Sequence, residues 1–250
     1  MRVFIAAYDI NDGHLIWKGY NEGGDIDSII NPEKTIIWRD GKLLDLGKNV
    51  GMQMDWHSLR WALGLSNLCQ YTYDPELNLI YYAVGVANFF SQYRSHRWIL
   101  SLWARDADTG EVKWVNTIPY SGNWDLDELN QPVLKNQIIN GQLRKTLVHF
   151  DKQGFSYVLD RVTGESLIAK KFYQPVNLTS HLKIKVKKPL QLEQNSTGFQ
   201  AMGNKAVDIC PASLEAKNPA SIVYSPKTQL FYTANRHLCM AYEPADVIYI

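Results

Sequence analysis

The sequence predicts an all-β protein of the β-propeller class. Three observations indicate this: strand–turn–strand units recur along the chain, aromatic and β-branched residues stand in short runs, and long helical periodicity is missing. Aromatic residues make up 12% of the 250 residues, with eight Trp and fourteen Tyr, and such residues favour strands. The stretch SLRWALGLSNL (58–68) alone has helical spacing, and it is short.

The first recurring unit is a β-hairpin with an Asp before its turn and a Gly at its end. It is read in AAYDINDGHLIW (6–17), WARDADTGEVKW (103–114) and YVLDRVTGESLI (157–168). The Asp side chain caps the turn, and Gly takes the positive φ that reverses the chain. We expect Trp17 and Trp114, on the outgoing strands, to dock between neighbouring sheets.

A second hairpin unit has an Asp-Pro or Ser-Pro turn, in YTYDPELNLIYYAVG (71–85) and IVYSPKTQLFYTAN (222–235). Asp106 and Asp160 are 54 positions apart, about one four-stranded blade plus a loop, and Asp9 and Asp106 are 97 apart, about two blades. The spacing predicts roughly four blades. We treat residues 1–250 as one propeller domain with 181–200 as an insertion between blades, whose alternating lysines indicate a solvated strand face.

Composition excludes several classes of protein. A net charge of +1 gives no global field for nucleic acid or membrane binding, and no apolar run has the roughly 18 residues of a membrane span. The N-terminal residues MRVFIAAYDI do not have the pattern of a secretory leader. Cys69, Cys210 and Cys239 form no pair with metal-ligand spacing, and the six His are scattered, which argues against zinc.

The stretch SGNWDLDELNQP (121–132) places Asp125 and Asp127 two positions apart behind Trp124. On an extended segment both carboxylates project to the same side. They are suited to a hard cation with oxygen ligands. The alternative is a solvated acidic turn in which Asp125 caps backbone N–H groups, and the local sequence leaves both readings open.

Five segments in fixed order resemble the quinoprotein alcohol and methanol dehydrogenases that use pyrroloquinoline quinone (PQQ). The segments are ARDADTGEVKW (104–114), NWDLDELNQPVL (123–134), LVHFDKQGFSYVLDRVTGE (147–165), DICPASLEAKN (208–218) and NRHLCMAYEP (235–244). The resemblance implies an eight-bladed periplasmic propeller of about twice this length, so the chain resembles an internal piece. It further implies a primary alcohol substrate, a cytochrome c electron acceptor, and calcium or a lanthanide beside the quinone.

The resemblance also implies roles for single residues. Asp125 matches the catalytic base, and Asp127 stands where lanthanide-using members carry an extra Asp, so the pair indicates a lanthanide. Lys152 matches the basic residue that contacts the quinone oxygens, the alternative being an exposed turn lysine. Asn218 matches a cofactor-binding Asn, the alternative being a turn Asn.

Further residues are assigned by the same resemblance. Trp124 belongs to the Trp-Asp motif at the cofactor, and Ser66 falls where a cofactor-contacting hydroxyl is usual, although an ordinary loop serine fits equally well. Cys210 and Cys239 match a pair that forms a disulfide in some members, the alternative being two buried thiols. Cys69 has no counterpart and is interpreted as a core residue.

The sequence departs from the family pattern at three site positions. Leu68 replaces the Trp that stacks under the quinone, so the aromatic stacking energy is lost. Val86 replaces a metal-binding Asn, for which Asn88, two residues further on the same strand face, is the candidate substitute. Pro219 replaces the Trp that often follows Asn218.

These departures, with half a ring, lead us to expect no turnover by the 250 residues alone. An open ring exposes blade edges and is not expected to hold the quinone on its axis. The chain is then a fragment, a split or decayed copy, or one half of a ring that a complementary chain completes. The alternative from another class is a non-catalytic propeller scaffold, which has no reason to combine Asp125, Lys152 and Asn218.

Overall fold

The chain folds into β-sheets with almost no helix in the described part. In the computed structural model the described residues are 4–21, 25–39, 41–44, 70–85, 101–118, 130–175, 206–212, 216–217 and 220–242. The elements are, in chain order, β1 (Phe4–Tyr8), β2 (Leu15–Tyr20), α1 (Asp25–Ser28), β3 (Ile36–Arg39), β4 (Lys42–Leu43), β5 (Thr72–Asp74), β6 (Leu79–Val84), β7 (Ser101–Asp106), β8 (Val112–Thr117), β9 (Val133–Ile139), β10 (Gln142–Phe150), β11 (Phe155–Asp160), β12 (Ser166–Lys171), β13 (Ala206–Ile209), β14 (Val223–Ser225), β15 (Leu230–Tyr232) and β16 (Met240–Tyr242).

Two sheets form the centre of the described structure. One is four-stranded, in the order β12-β11-β10-β9, and the other is six-stranded, in the order β4-β3-β8-β7-β6-β5. All pairings in them are antiparallel except that of β3 with β8, which is parallel. Three two-stranded sheets, β1-β2, β13-β16 and β14-β15, complete the set. The strands β9–β12, and β5–β8 within the six-stranded sheet, are each four consecutive antiparallel strands, as in the blades of a propeller, so the predicted all-β propeller class is confirmed.

The predicted hairpins and their turn chemistry are confirmed. β1-β2, β7-β8 and β11-β12 correspond to the first unit, and β5-β6 and β14-β15 to the second. Asp106 Oδ1 accepts the Thr109 backbone N–H at 3.0 Å, and Asp160 Oδ1 accepts the Val162 N–H at 2.9 Å. Gly110 has φ 72° and Gly164 φ 78°. The Asp therefore satisfies turn amides while Gly allows the left-handed conformation.

The docking predicted for the two tryptophans is also confirmed. Trp17 Nε1 donates to the Ala107 carbonyl at 2.9 Å, in the turn that follows β7. Trp114 Nε1 donates to the Arg161 carbonyl at 3.0 Å, in the turn that follows β11. Each indole thus joins its own hairpin to the turn of the next blade along the chain. The direct contact of Trp17 with the turn after β7 shows that the prediction of two blades between Asp9 and Asp106 was wrong: these residues belong to neighbouring blades. The three hairpins with the Asp and Gly pattern are therefore linked in series.

A buried arginine adds a second link between the first two blades. Arg105 in β7 is fully buried, and its guanidinium, which has five N–H donors, donates to Tyr82 Oη, Ser28 O, Gly110 O, Tyr20 O and Asn21 Oδ1. Gly19 lies against it, because a Cβ there would stand 2.7 Å from Arg105 Nη1. The charge is accommodated in the core by acceptors on β2, α1 and the β7-β8 turn.

Candidate functional site

Lys152 is the one predicted site residue that lies within the described part of the chain. The other predicted site residues are Asp125, Asp127, Trp124, Asn218, Ser66 and Asn88, and they lie outside the described residues, as do Cys69 and the departures at Leu68, Val86 and Pro219. Their assignments stay predictions. The insertion at 181–200 also lies outside.

Lys152 is buried in the turn between β10 and β11. Only 4% of the residue is exposed, so the alternative of an exposed turn lysine is wrong. Asp151 shapes this turn: its Oδ1 accepts the Phe155 backbone N–H at 2.6 Å, and its Oδ2 accepts the Tyr157 hydroxyl at 3.0 Å. The short Asp-Lys-Gln-Gly turn therefore has a fixed main chain, from which the lysine side chain extends into the interior.

Two residues that the sequence assigned no role, Asn130 and Lys217, lie in the same network. Lys217 is fully buried, and its Nζ donates to Asn130 Oδ1 at 2.9 Å and to the Ala220 carbonyl at 2.7 Å. Asn130 Nδ2 donates to the Phe150 carbonyl at 2.8 Å. The main-chain N–H of Ala216 donates to the Lys152 carbonyl at 3.1 Å. These bonds bring Ala216, Lys217 and Ala220 beside the β10-β11 turn.

The sequence contained a weak signal for these residues. Asn130 stands in the stretch that carries Asp125, and Lys217 directly precedes Asn218. Neither residue by itself indicates a buried role, because a single Asn or Lys in a loop is normally solvated. Burial, which only the fold reveals, distinguishes them.

His149 is a further buried titratable group of this cluster. Its pKa is lowered from the ordinary 6.5 to about 4 as the net result of four causes: burial, the largest, and the charge of Lys217 lower it, while Asp151 and a hydrogen bond to the backbone of Asn130 raise it. The imidazole is therefore neutral at pH 7. A neutral histidine between a carboxylate and an ammonium group keeps the local charge of the cluster constant across the physiological range.

Burial of His149 predicts a loss of stability in mild acid. Between pH 6.5 and about 4 the unfolded chain binds a proton at this side chain and the folded chain does not. The stabilisation is fully present above pH 6.5 and is lost as the pH falls toward 4, by about 3 kcal/mol in all. Urea unfolding of wild type and His149→Leu between pH 8 and 4 measures it. Parallel pH profiles for the two proteins contradict the prediction, and His14→Leu, at an exposed site, is the control.

The resemblance-based prediction of a disulfide between Cys210 and Cys239 is confirmed. It joins the end of β13 to the start of β16, and Ala212 N–H donates to the Leu238 carbonyl at 2.9 Å beside it. Arg236 N–H donates to the Ala216 carbonyl at 2.8 Å. The disulfide-linked segment is therefore bonded, through Ala216, to the main chain at Lys152.

One group of metal-type side chains occurs elsewhere in the described residues, in the β1-β2 turn. Asp9, Asp12 and His14 have ligand atoms within 4.8 Å of one another. Asp12 Oδ1 accepts the backbone N–H of His14 and contacts its Nδ1, and Asp9 Oδ1 accepts the Asn11 N–H. The carboxylate oxygens of Asp9 and Asp12 accept hydrogen bonds from backbone N–H groups of the turn. Asp12 and His14 are exposed. We assign this group no function.

The sheets, hairpins and docked tryptophans define a β-propeller. Residues 2–177 match the PQQ family described as glucose/ethanol/alcohol dehydrogenase, β-propeller domain, and the chain belongs to that family. It is 36% identical to a lanthanide-dependent methanol dehydrogenase of Methylorubrum extorquens over 98% of its own length and 41% of that protein. It is 31% identical to subunit 1 of the methanol dehydrogenase [cytochrome c] of the same organism, covering 98% of itself and 38% of the subunit.

A solved structure agrees with this family. The europium-containing methanol dehydrogenase superposes with a TM-score of 0.80 at 29% identity, covering all of this chain and 43% of that one. The chain thus spans about two fifths of the length of the relatives it matches. Among the described residues, no helix has the length and hydropathy needed to cross a membrane.

The ammonium group of Lys152 is the described group that suits an anionic quinone such as PQQ. Lys152 and Gln153 are buried in the turn, and Lys217 and Asn130 are buried beside it, with Lys217 Nζ bonded to Asn130 Oδ1 and Asn130 Nδ2 bonded to the Phe150 carbonyl. Ammonium and amide N–H groups donate to carboxylate and quinone oxygens. In a medium from which water is excluded, their attraction for an anion is strengthened.

Proposed function

We propose that this chain is part of a PQQ-dependent alcohol dehydrogenase of the methanol dehydrogenase type. The observation that carries the proposal is the burial of Lys152 inside a hydrogen-bonded network, in a chain of this family. A turn lysine without a binding role normally stays in water. Burying its ammonium group costs free energy unless hydrogen-bond acceptors surround it. A cationic side chain held in the interior is the feature that a quinone contact requires.

The roles of the remaining residues follow from the sequence. Asp125 is the base that takes the hydroxyl proton of a primary alcohol, and Asp125, Asp127 and Asn88 are the cation ligands. Lys152, Asn218, Ser66 and Trp124 contact the cofactor. When bound, PQQ supplies the hydride acceptor and the cation polarises it as a Lewis acid. Two aspartates in this position favour a lanthanide over calcium.

The wider setting is proposed on the family alone. Electrons leave to a cytochrome c, and the protein works in the periplasm. The 250 residues form a partial propeller domain, with 181–200 inserted between blades, and a complementary chain or segment supplies the rest of the ring. The 250 residues supply only part of the quinone site, so their affinity for the quinone is expected to be weak.

Replacing Lys152 by methionine is expected to weaken quinone binding at least about tenfold, since a hydrogen bond from a charged group contributes roughly 1.5–3 kcal/mol. The affinity is measured by titrating the chain with PQQ in the presence of La³⁺ and following the quinone absorbance. Lys170→Met, at an exposed position on β12, is the matched control and is expected to bind as wild type does.

Two results would reject the proposal. Equal affinity of wild type and Lys152→Met places the quinone elsewhere. Absence of saturable binding in wild type rejects a contact between this chain and the quinone.

A further inference from the structure

A fully buried lysine with no assigned role stands beside the proposed cofactor contact. Lys217 has no exposed surface, and its Nζ is held by Asn130 Oδ1 at 2.9 Å and the Ala220 carbonyl at 2.7 Å. A buried ammonium group is tolerated only where acceptors are fixed around it. The two acceptors of Lys217 come from separate parts of the chain, at residue 130 and at residue 220.

The bond from Lys217 continues to the strand that carries Lys152. Asn130 accepts from Lys217 with its oxygen and donates from its nitrogen to the Phe150 carbonyl at 2.8 Å. Phe150 is the last residue of β10, two positions before Lys152. Lys217, Asn130 and Phe150 thus form one chain of hydrogen bonds that ends on the main chain next to Lys152.

A second, independent contact joins the same two segments. The backbone N–H of Ala216, the neighbour of Lys217, donates to the Lys152 carbonyl at 3.1 Å. Arg236 N–H donates to the Ala216 carbonyl at 2.8 Å from the disulfide-linked side. The main chain at this turn is therefore held at two points, at Phe150 by Asn130 and at Lys152 by Ala216.

The charge of Lys217 also acts within this cluster. It opposes protonation of His149, which lies one residue before Phe150. Asp151, on the other side of Phe150, acts on the same imidazole with the opposite sign. The ammonium group of Lys217 is therefore close enough to influence the groups that precede Lys152.

We propose that Lys217 is a positioning residue, which fixes the turn that presents Lys152 by holding Asn130 and Ala216 against it. The part of this inference that concerns the quinone rests on the proposed function. The part that concerns the turn does not, and the two are tested separately.

The first experiment needs no quinone. In Lys217→Met, hydrogen exchange followed by NMR is expected to be at least about tenfold faster at the Ala216 amide, because the contact with Lys152 is no longer held. The Gly164 amide, bonded to Asp160 O at 2.7 Å in a distant turn, is the internal reference and is expected to be unchanged. Lys227→Met, at an exposed lysine of the same segment, is the matched control. Unchanged exchange at Ala216 overturns the inference.

A second variant covers the case in which Lys217→Met does not fold. Asn130→Ala removes the acceptor and keeps the lysine, and it is expected to accelerate exchange at Ala216 as well. In the double variant the two effects on the rate are expected to be less than multiplicative, since both act through one hydrogen bond. Independent, fully multiplicative effects overturn the role of Asn130.

The quinone titration tests whether the positioning matters for the ligand. Lys217→Met is expected to weaken PQQ binding at least about tenfold, and to have no further effect in a Lys152→Met background, because it acts through Lys152. An undiminished effect in that background contradicts positioning and indicates direct contact or general destabilisation. If wild type binds no PQQ, the proposed function fails, and the exchange rates still decide the role of Lys217.

Discussion

Replacement of Arg161 by methionine is expected to lower the free energy of unfolding by about 3–5 kcal/mol, the usual cost of removing one partner from a buried ion pair. Arg161 Nε lies 2.7 Å from Asp74 Oδ2, and the two side chains are only 6% and 2% exposed. Without the guanidinium, the Asp74 carboxylate is left buried and uncompensated. Methionine keeps most of the apolar stem, so the loss reports on the charge and its hydrogen bonds.

The expected effect is large because Arg161 joins two blades. Its Nη2 contacts Glu76 Oε2 at 2.7 Å in the β5-β6 turn, and its Nη1 donates to Asn136 Oδ1 at 2.7 Å in β9. Its carbonyl accepts from Trp114 Nε1 and from the Tyr81 hydroxyl, both at 3.0 Å. Burial, followed by the charge of Asp74, raises the pKa of Tyr81, so this hydroxyl remains a donor at every relevant pH.

A matched control separates buried from exposed arginines in the same blade. Arg144 lies 3.3 Å from Asp160, but its side chain is 37% exposed, against 6% for Arg161, and screening by solvent brings such a pair toward the roughly 1 kcal/mol of surface pairs. Urea unfolding at pH 7 is expected to show Arg144→Met close to wild type and Arg161→Met far below it. Asp74→Asn combined with Arg161→Met is expected to recover part of the loss. Equal losses at the two arginines would refute the account.

The hairpins were predictable from the sequence because their signals are local. The Asp and the Gly of each unit, with the Trp that closes the first two, lie within nine positions, as in Asp106, Gly110 and Trp114. The turn geometry depends on those residues alone. The spacing of such units then predicted blades, since the repeat of a supersecondary unit reflects the stacking of sheets.

Features that depend on distant residues were not predictable. The parallel pairing of β3 with β8 places Ile36 beside Trp114. The sequence of neither strand indicates that it pairs with the other. Nothing in the sequence indicates that Arg105 and Arg161 are buried, since charged residues are usually solvated, and only the fold shows the carbonyl and carboxylate oxygens that surround them.

The candidate site was predictable to the extent that it follows a motif. Lys152 was selected by resemblance, and its burial is a finding of the structure. The contact between Lys217 and Asn130 was not predicted, because the two residues are 87 positions apart in the sequence and meet only in the folded chain. The disulfide was obtained from the resemblance, since three cysteines alone do not determine which two pair.

Removal of the docked indole in Trp114→Ala is expected to lower the free energy of unfolding by about 3–5 kcal/mol, the range for truncating a buried Trp. Trp114 is fully buried, and it lies so close to Gly164 that a Cβ there would stand 2.6 Å from Trp114 Cδ2. The indole of one blade therefore packs directly on the backbone of the next. Thermal unfolding followed by circular dichroism measures the loss.

Alanine substitutions at two glycines, Gly141 and Gly164, test the packing of the indole on the backbone independently. Gly141, with φ 77°, has no atom within 4 Å of the position of a Cβ, whereas Gly164, with φ 78°, has the indole there. Both alanine variants lose about 1–2 kcal/mol to the left-handed backbone, and Gly164→Ala is expected to lose about 1–3 kcal/mol more from overpacking. In the Trp114→Ala background this excess is expected to vanish, because the cavity accepts the methyl group. An excess that persists there would show that the strain at Gly164 is unrelated to the indole, and would contradict docking as the link between these blades.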